Sequence, residues 1–139
     1  MLNKVFLIGR LTRDPEIRFL PSGSQVTSFT LAVNRRYKTK NSEQWQEETY
    51  YFDIEAFSFL AERLGKQLSK GVQIVLEGHL RQDKWETASG EKRSKVKVVA
   101  EKVSILSRPG RPEELPENEA EQEVVEEPED LSSDEDIPF

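Results

Sequence analysis

The composition of this chain breaks at Ser107, and that break limits what can fold. Residues 1–106 hold 18 Lys+Arg against 13 Asp+Glu, a net +5, while residues 107–139 hold 2 against 13, a net −11. The whole-chain charge of −6 therefore describes neither part. Past Ser107 glutamates dominate, apolar residues are scattered, and Pro109, Pro112, Pro116 and Pro128 interrupt any regular element. Such a segment cannot bury enough apolar surface to offset its chain entropy. Residues 107–130 are expected to be a disordered acidic linker and 131–139 a distinct tip. Only residues 1–106 remain to build a core, which suffices for one modest domain.

Several function classes fall away on residue types alone. The chain has no cysteine, which excludes disulfides, thiolate metal sites and a cysteine nucleophile. A single histidine, His79, cannot build a histidine-based metal cluster. No Walker-type glycine loop, paired metal-ligand motif or nucleophile elbow is present, so neither an enzyme nor a cofactor is expected. Asp53 and Glu55, two apart on one strand, could hold a metal, but a solvated strand face accounts for them more simply. No apolar run is long enough to span a membrane. Met1–Lys4 leads straight into Val5-Phe6-Leu7-Ile8, too short a run for a signal peptide and without a small-residue cleavage site. The expectation is a soluble intracellular protein. The cationic surplus of the first part suits a polyanion, although it could equally serve solubility.

Residues 1–106 read as strands with one helix. Segment 2–12 is an apolar strand in which Gly9 marks a bulge or sharp bend. After a turn at Asp14-Pro15, residues 16–20 form a short strand, and Pro21-Ser22-Gly23-Ser24 reverses the chain. Segment 25–37 alternates, with Phe29, Leu31 and Val33 on one side and Ser28, Thr30 and Asn34 on the other. A polar loop, 38–46, precedes a strand at 47–57. Segment 58–69 is the one good helix: Leu60, Leu64 and Leu68 share a face, Ser58 can cap the start, and Gly71 follows the end. Segment 72–81 alternates again, with Val72, Ile74, Leu76 and Leu80 inward and Val75, Glu77, His79 and Arg81 outward. Residues 83–93 are read as a hairpin loop around Ser89-Gly90. The last strand, 94–106, has Val96 and Val98 in phase but Val103 and Ile105 shifted, as a bulge would shift them.

Strand 47–57 carries the most information. Alternation puts Tyr50, Phe52, Ile54 and Ala56 toward the core, and Thr49, Tyr51, Asp53, Glu55 and Phe57 outward. Two large rings then stand among polar residues, where they meet either nucleobases or an overlying loop or subunit. Tyr37 ends its strand between Arg35, Arg36, Lys38 and Lys40, and Trp85 stands on a polar hairpin near Arg81 and Lys84. Rings interleaved with cations suit single-stranded nucleic acid: the cations neutralise phosphates while the rings stack on exposed bases. Bracing of their own hairpins is the alternative for Tyr37 and Trp85. Trp45, in a polar loop, is a lesser candidate. The final Asp134-Glu135-Asp136-Ile137-Pro138-Phe139 looks like a docking peptide, its acids suited to a basic groove and Phe139 to an apolar pocket.

These stretches resemble the bacterial single-stranded DNA-binding protein family. The matching residues are Asn3-Lys4-Val5, Ile8-Gly9-Arg10-Leu11, Asp14-Pro15-Glu16, Pro21-Ser22-Gly23 and Phe29-Thr30-Leu31-Ala32. They continue with Phe57 through Leu60-Ala61-Glu62, Lys70-Gly71, Leu76 through Arg81, Lys84-Trp85-Glu86 and the terminal Asp-Glu-Asp-Ile-Pro-Phe. The resemblance implies an all-β domain with one helix, a five-stranded Greek-key oligonucleotide-binding (OB) barrel over residues 1–106, assembled as a homotetramer. It implies stacking by Tyr37, Tyr51, Phe57 and Trp85, and basic contacts at Arg81, Lys84 and Lys40. It further implies that the tail tip docks onto replication, recombination and repair proteins in a cytoplasmic, nucleoid-associated setting. There are departures. Tyr37 and Tyr51 stand where some members have tryptophan, Asp53 and Asp83 occupy positions that are basic in some relatives, and Phe52 replaces a histidine found at a family subunit interface. The expected function is sequence-tolerant coating of single-stranded DNA. The rival readings are an RNA-binding or primosome accessory module of the same fold, an interaction hub acting mainly through its tail, and a metal-dependent nuclease.

Overall fold

The computed structural model describes residues 1–110. Its elements, in chain order, are β1 (Val5–Leu11), β2 (Glu16–Phe19), β3 (Gln25–Tyr37), β4 (Gln46–Phe57), α1 (Ser58–Gln67), β5 (Gln73–Glu86) and β6 (Lys92–Ser107). Five of the six strands close into a barrel. β1 pairs antiparallel with β5, β5 with β6 and β3 with β4; β6 runs parallel to β4 through Ile54 and Val98, and β1 returns to β3 at Arg10 and Leu11. β2 stays outside this ring as a short hairpin partner of β3. This is the OB barrel with its single helix between the third and fourth barrel strands.

Alternation explains the core. Phe29 and Leu31 from β3, Ile54 and Ala56 from β4, Ile74 and Leu76 from β5, and Val98 from β6 all point inward and are buried. α1 closes one end with Ala61, Leu64 and, just beyond it, Leu68. It is tied down where the Thr27 hydroxyl donates to the Ala61 carbonyl at 2.7 Å and Arg63 donates to the Val103 carbonyl at 3.1 Å. α1, at ten residues, is too short to cross a membrane.

The expected phase shift late in β6 is present. The β5–β6 register passes from Gly78 opposite Ala100 to Glu77 opposite Lys102, which leaves Glu101 without a partner. That extra residue puts Val98, Ala100 and Val103 all into the core. Gly9 proves to mark something other than a bulge, since the β1–β5 register runs through it unbroken. A side chain there would strike the Ala32 carbonyl, because β1 and β3 close the barrel at that point.

Three local expectations need correction. Ser58 makes no cap hydrogen bond; Phe57 holds the cap position and Ser58 itself sits at φ 56°. Residues 83–93 are largely strand rather than loop, because β5 and β6 stay paired out to Glu86 and Lys92 and only 87–91 turn. Tyr50 and Leu80, expected inside, are exposed at 40% and 45%. Tyr50 lies where β3 and β4 run on as a two-stranded arm with no core to face, and Leu80, opposite the buried Val98, sits at the barrel rim just past the last β1 pair at Val5 and Gly78.

Candidate nucleic-acid interface

Residues opposite one another in a ladder share a side of the sheet, so the registers define the outer face. Arg81 pairs with Lys97, Asp83 with Lys95 and Trp85 with Arg93. β6 adjoins β4 with Glu55 opposite Val99, which continues the same side onto Tyr51, Asp53, Glu55 and Phe57. One outward surface thus runs from β4 across β6 to β5. Tyr51 is 65% exposed and Trp85 47%, while Phe57 is half-buried beneath a guanidinium, with Arg81 centred 5.5 Å above its ring.

Glu55 organises this face, and its burial overturns the expectation that it lies on a solvated strand surface. It is 2% exposed. Its carboxylate accepts from Arg18 of β2 at 2.7 Å and from Arg81, and Lys97 lies 3.7 Å away. Burial pushes the Glu55 carboxyl up, but the bonds from Arg81 and Arg18 and the field of Lys97 outweigh it and leave the group below its ordinary value. Arg81 is also held by Asp83, at 2.7 Å from Nε and 3.1 Å from Nη2. Asp53 pairs with Lys95 and accepts from Thr30 at 3.3 Å. Lys95 holds Asp53, and Arg81 holds Asp83, below the usual carboxylate range. Beside these groups a cleft of about 350 Å³ opens toward β2, reached by Arg13, Arg18, Lys95 and Lys97.

The structure brings Tyr51, Phe57, Arg81 and Trp85 to one side of the barrel. It separates Tyr37, Arg35 and Lys84 from them, while Arg36, opposite Glu47, keeps the side of Tyr51 farther along the ribbon. Tyr37 follows Leu31, Val33 and Arg35 along β3, whereas Tyr51 pairs with Ala32 and belongs to the opposite side of that ribbon. Tyr37 is half-buried, with the Arg35 guanidinium 5.3 Å from its ring. Arg36 lies 5.6 Å from the ring of Trp45, and Lys38 and Lys40 are exposed in the connection between β3 and β4. Lys84 alternates to the other side of the β5–β6 arm from Trp85, beside Ser94. Asp134, Glu135, Asp136, Ile137, Pro138 and Phe139 lie outside the described residues.

The sequence reading passed over Lys95, Lys97 and Arg18. The first two had a visible signal: Arg93, Lys95 and Lys97 fall at every second position, the spacing of one strand side. The valines that alternate with them, Val96 and Val98, give the stronger apolar pattern on the other side. Arg18 carried no signal, because only the docking of the β2 hairpin brings it to Glu55.

Comparison with known proteins agrees with this fold. The model of the single-strand binding protein family matches residues 2–106. A single-stranded DNA-binding protein of Aquifex aeolicus is 49% identical over the whole chain and 94% of its own length. One from Thermotoga maritima is 45% identical over 95% of this chain and 91% of its own. Among solved structures, a Plasmodium falciparum SSB in complex with single-stranded DNA superposes with a TM-score of 0.70 at 27% identity, covering 77% of this chain and 97% of that one. The single-stranded DNA-binding protein from Thermus aquaticus, in a deletion-mutant crystal structure, gives 0.69 at 35% identity, covering 79% and 53%.

Proposed function

The chain belongs to the single-strand binding protein family, and from that premise we propose that it coats single-stranded DNA without reading its sequence. The observation that carries this is the continuous β4–β6–β5 face, where the rings of Tyr51, Phe57 and Trp85 alternate with cations. Stacking tolerates any base, and the cations address the phosphates every base shares. A duplex hides its bases and offers the rings nothing flat. The reading is non-catalytic: the oxygens of Asp53 and Glu55 are engaged by Lys95, Arg18 and Arg81 rather than turned toward a common metal.

The same proposal makes the molecule a homotetramer that wraps its DNA, acting in replication, recombination and repair in the cytoplasm. Its support is a second outward face, where Phe6 is 69% and Ile8 54% exposed next to Val75. Apolar area of that kind suits another copy of the chain. The segment Asp134 to Phe139 recruits protein partners, with Ile137 and Phe139 as apolar anchors and three acids for a basic groove.

The test is a competition assay. Labelled oligo-dT bound to the protein is challenged with unlabelled oligo-dT, oligo-rU and duplex DNA. Displacement by oligo-dT well ahead of duplex supports the reading. Preferential displacement by oligo-rU favours an RNA module instead.

A further inference from the structure

A surface built only to hold a polyanion has no need of carboxylates among its cations, yet here the two alternate. Asp53 engages Lys95, and Asp83 engages Arg81 and lies 3.5 Å from Lys97. All three cations stand on the side that carries Tyr51, Phe57 and Trp85. The three acids differ in freedom. Glu55 has a side chain 3% exposed and is fixed between Arg18 and Arg81, whereas the side chains of Asp53 and Asp83 are 38% and 33% exposed. Asp53 and Asp83 can therefore turn away from their cations at the cost of partly solvated ion pairs, which are weak. Glu55 would leave a buried charge behind.

We propose that Asp53 and Asp83 set the affinity of this face by holding Lys95, Arg81 and Lys97 in the free protein and yielding them to phosphates when a strand binds. The proposal rests on the reading of this face as one for single-stranded DNA. Each exchange puts a phosphate where a carboxylate was and leaves that carboxylate beside an anion. Protonating the carboxylate relieves the repulsion. The charged groups facing Asp53 are Lys95 and Lys97 from β6, with Arg13, Asp14, Glu16 and Arg18 lining the cleft from the β2 side. Those facing Asp83 are Arg81 on its own strand, and Lys97 and its cross-strand neighbour Lys95 on β6. In the free protein these cations keep both acids ionised; in the complex that support goes to phosphate and the acids become easier to protonate. The complex then binds more protons than the free protein, and affinity rises as pH falls.

The experiment measures oligo-dT affinity by fluorescence anisotropy for the parent, Asp53→Asn, Asp83→Asn and the double variant, from neutral to mildly acidic pH. Thymine has no group that titrates in acid, so changes belong to the protein. The double variant binds about threefold to tenfold tighter than the parent at neutral pH, and the gap closes as pH falls. Lys95→Gln then costs more affinity in the Asp53→Asn background than in the parent, because there Lys95 reaches phosphate without first leaving a carboxylate. Thermal melts identify any variant that fails to fold, and the Lys95 comparison can be made against Asp53→Ser if Asp53→Asn does. Equal or weaker binding by the folded variants at neutral pH overturns the proposal, as does a parent affinity that does not gain on the double variant in acid. A parent that binds no oligo-dT overturns the underlying function instead, and this proposal with it.

Discussion

The barrel exposes rings and aliphatic side chains on two outward faces, and they differ in what lies between those groups. On the β4–β6–β5 face, Tyr51, Phe57 and Trp85 are spaced by Asp53, Glu55, Arg81, Lys95 and Lys97. On the β1–β5 face, Phe6, Ile8 and Val75 adjoin one another, and the acids beside them are already paired: Lys4 lies 3.2 Å from Glu77, which stands opposite Phe6, and also bonds Glu101. Interleaved rings and cations fit a ligand that is both flat and anionic, as a single strand is. Contiguous apolar groups with satisfied charges fit a dry protein surface. Exposure alone does not separate these uses; the spacing of charge does.

The largest expected effect comes from spoiling the apolar face. Ile8→Asp places a charge at its centre and should collapse the assembly to a smaller species, read as mass by light scattering, with the fold retained by circular dichroism. An unchanged mass would mean that copies do not meet there. Next is Glu55→Ala, which removes the acceptor shared by Arg18 and Arg81. Both cations remain partly exposed and Arg81 keeps Asp83, so the cost is that of lost charge-assisted hydrogen bonds, about 2 kcal/mol, to be measured by urea denaturation. The Glu55 carboxyl is depressed in the folded protein, so its contribution is full above its unfolded value and lost as pH falls through the folded one. The parent's advantage over the variant should therefore shrink in acid and not in base.

Loss of a stacking ring is the next step down. Trp85→Ala, Phe57→Ala and Tyr51→Ala should each cost roughly 1–3 kcal/mol of oligo-dT affinity. Tyr37→Ala should cost less, because Tyr37 lies on the other side of its ribbon. A Tyr37 effect equal to that of Trp85 would mean that the strand also passes behind the β3–β4 arm. The smallest effect belongs to Lys84, which is exposed and away from the rings. Lys84→Ala should weaken binding mildly for all sequences and lower the salt slope by about 1.

The sequence disclosed the barrel where one strand side is dry. β3 is read at its true limits, 25 to 37, because Phe29, Leu31 and Val33 alternate against polar neighbours; the bulge in β6 shows as a change of valine phase. The same rule fails where its premise fails. Beyond the barrel end both sides of the arms meet water, so residues 83–86 and 92–93 carry no alternation and look like loop. Tyr50 keeps the phase of the core without the burial. Glu55 shows the opposite case: alternation gives its side correctly but cannot say what covers that side. Arg18 comes from 37 residues away, on a hairpin whose docking no local pattern encodes. Of the candidate site, the rings were legible and the ion-pair network beneath them was not, since it depends on pairing among three strands and β2.

The most direct measurement is intrinsic tryptophan fluorescence during titration with oligo-dT and with a duplex of equal length, for the parent and Trp85→Ala. The account predicts strong quenching by oligo-dT, little by the duplex, and loss of most of the quenching in the variant, with Trp45 left as the remaining emitter. Equal quenching by duplex, or full quenching retained without Trp85, would contradict a single strand stacked along the β4–β6–β5 face.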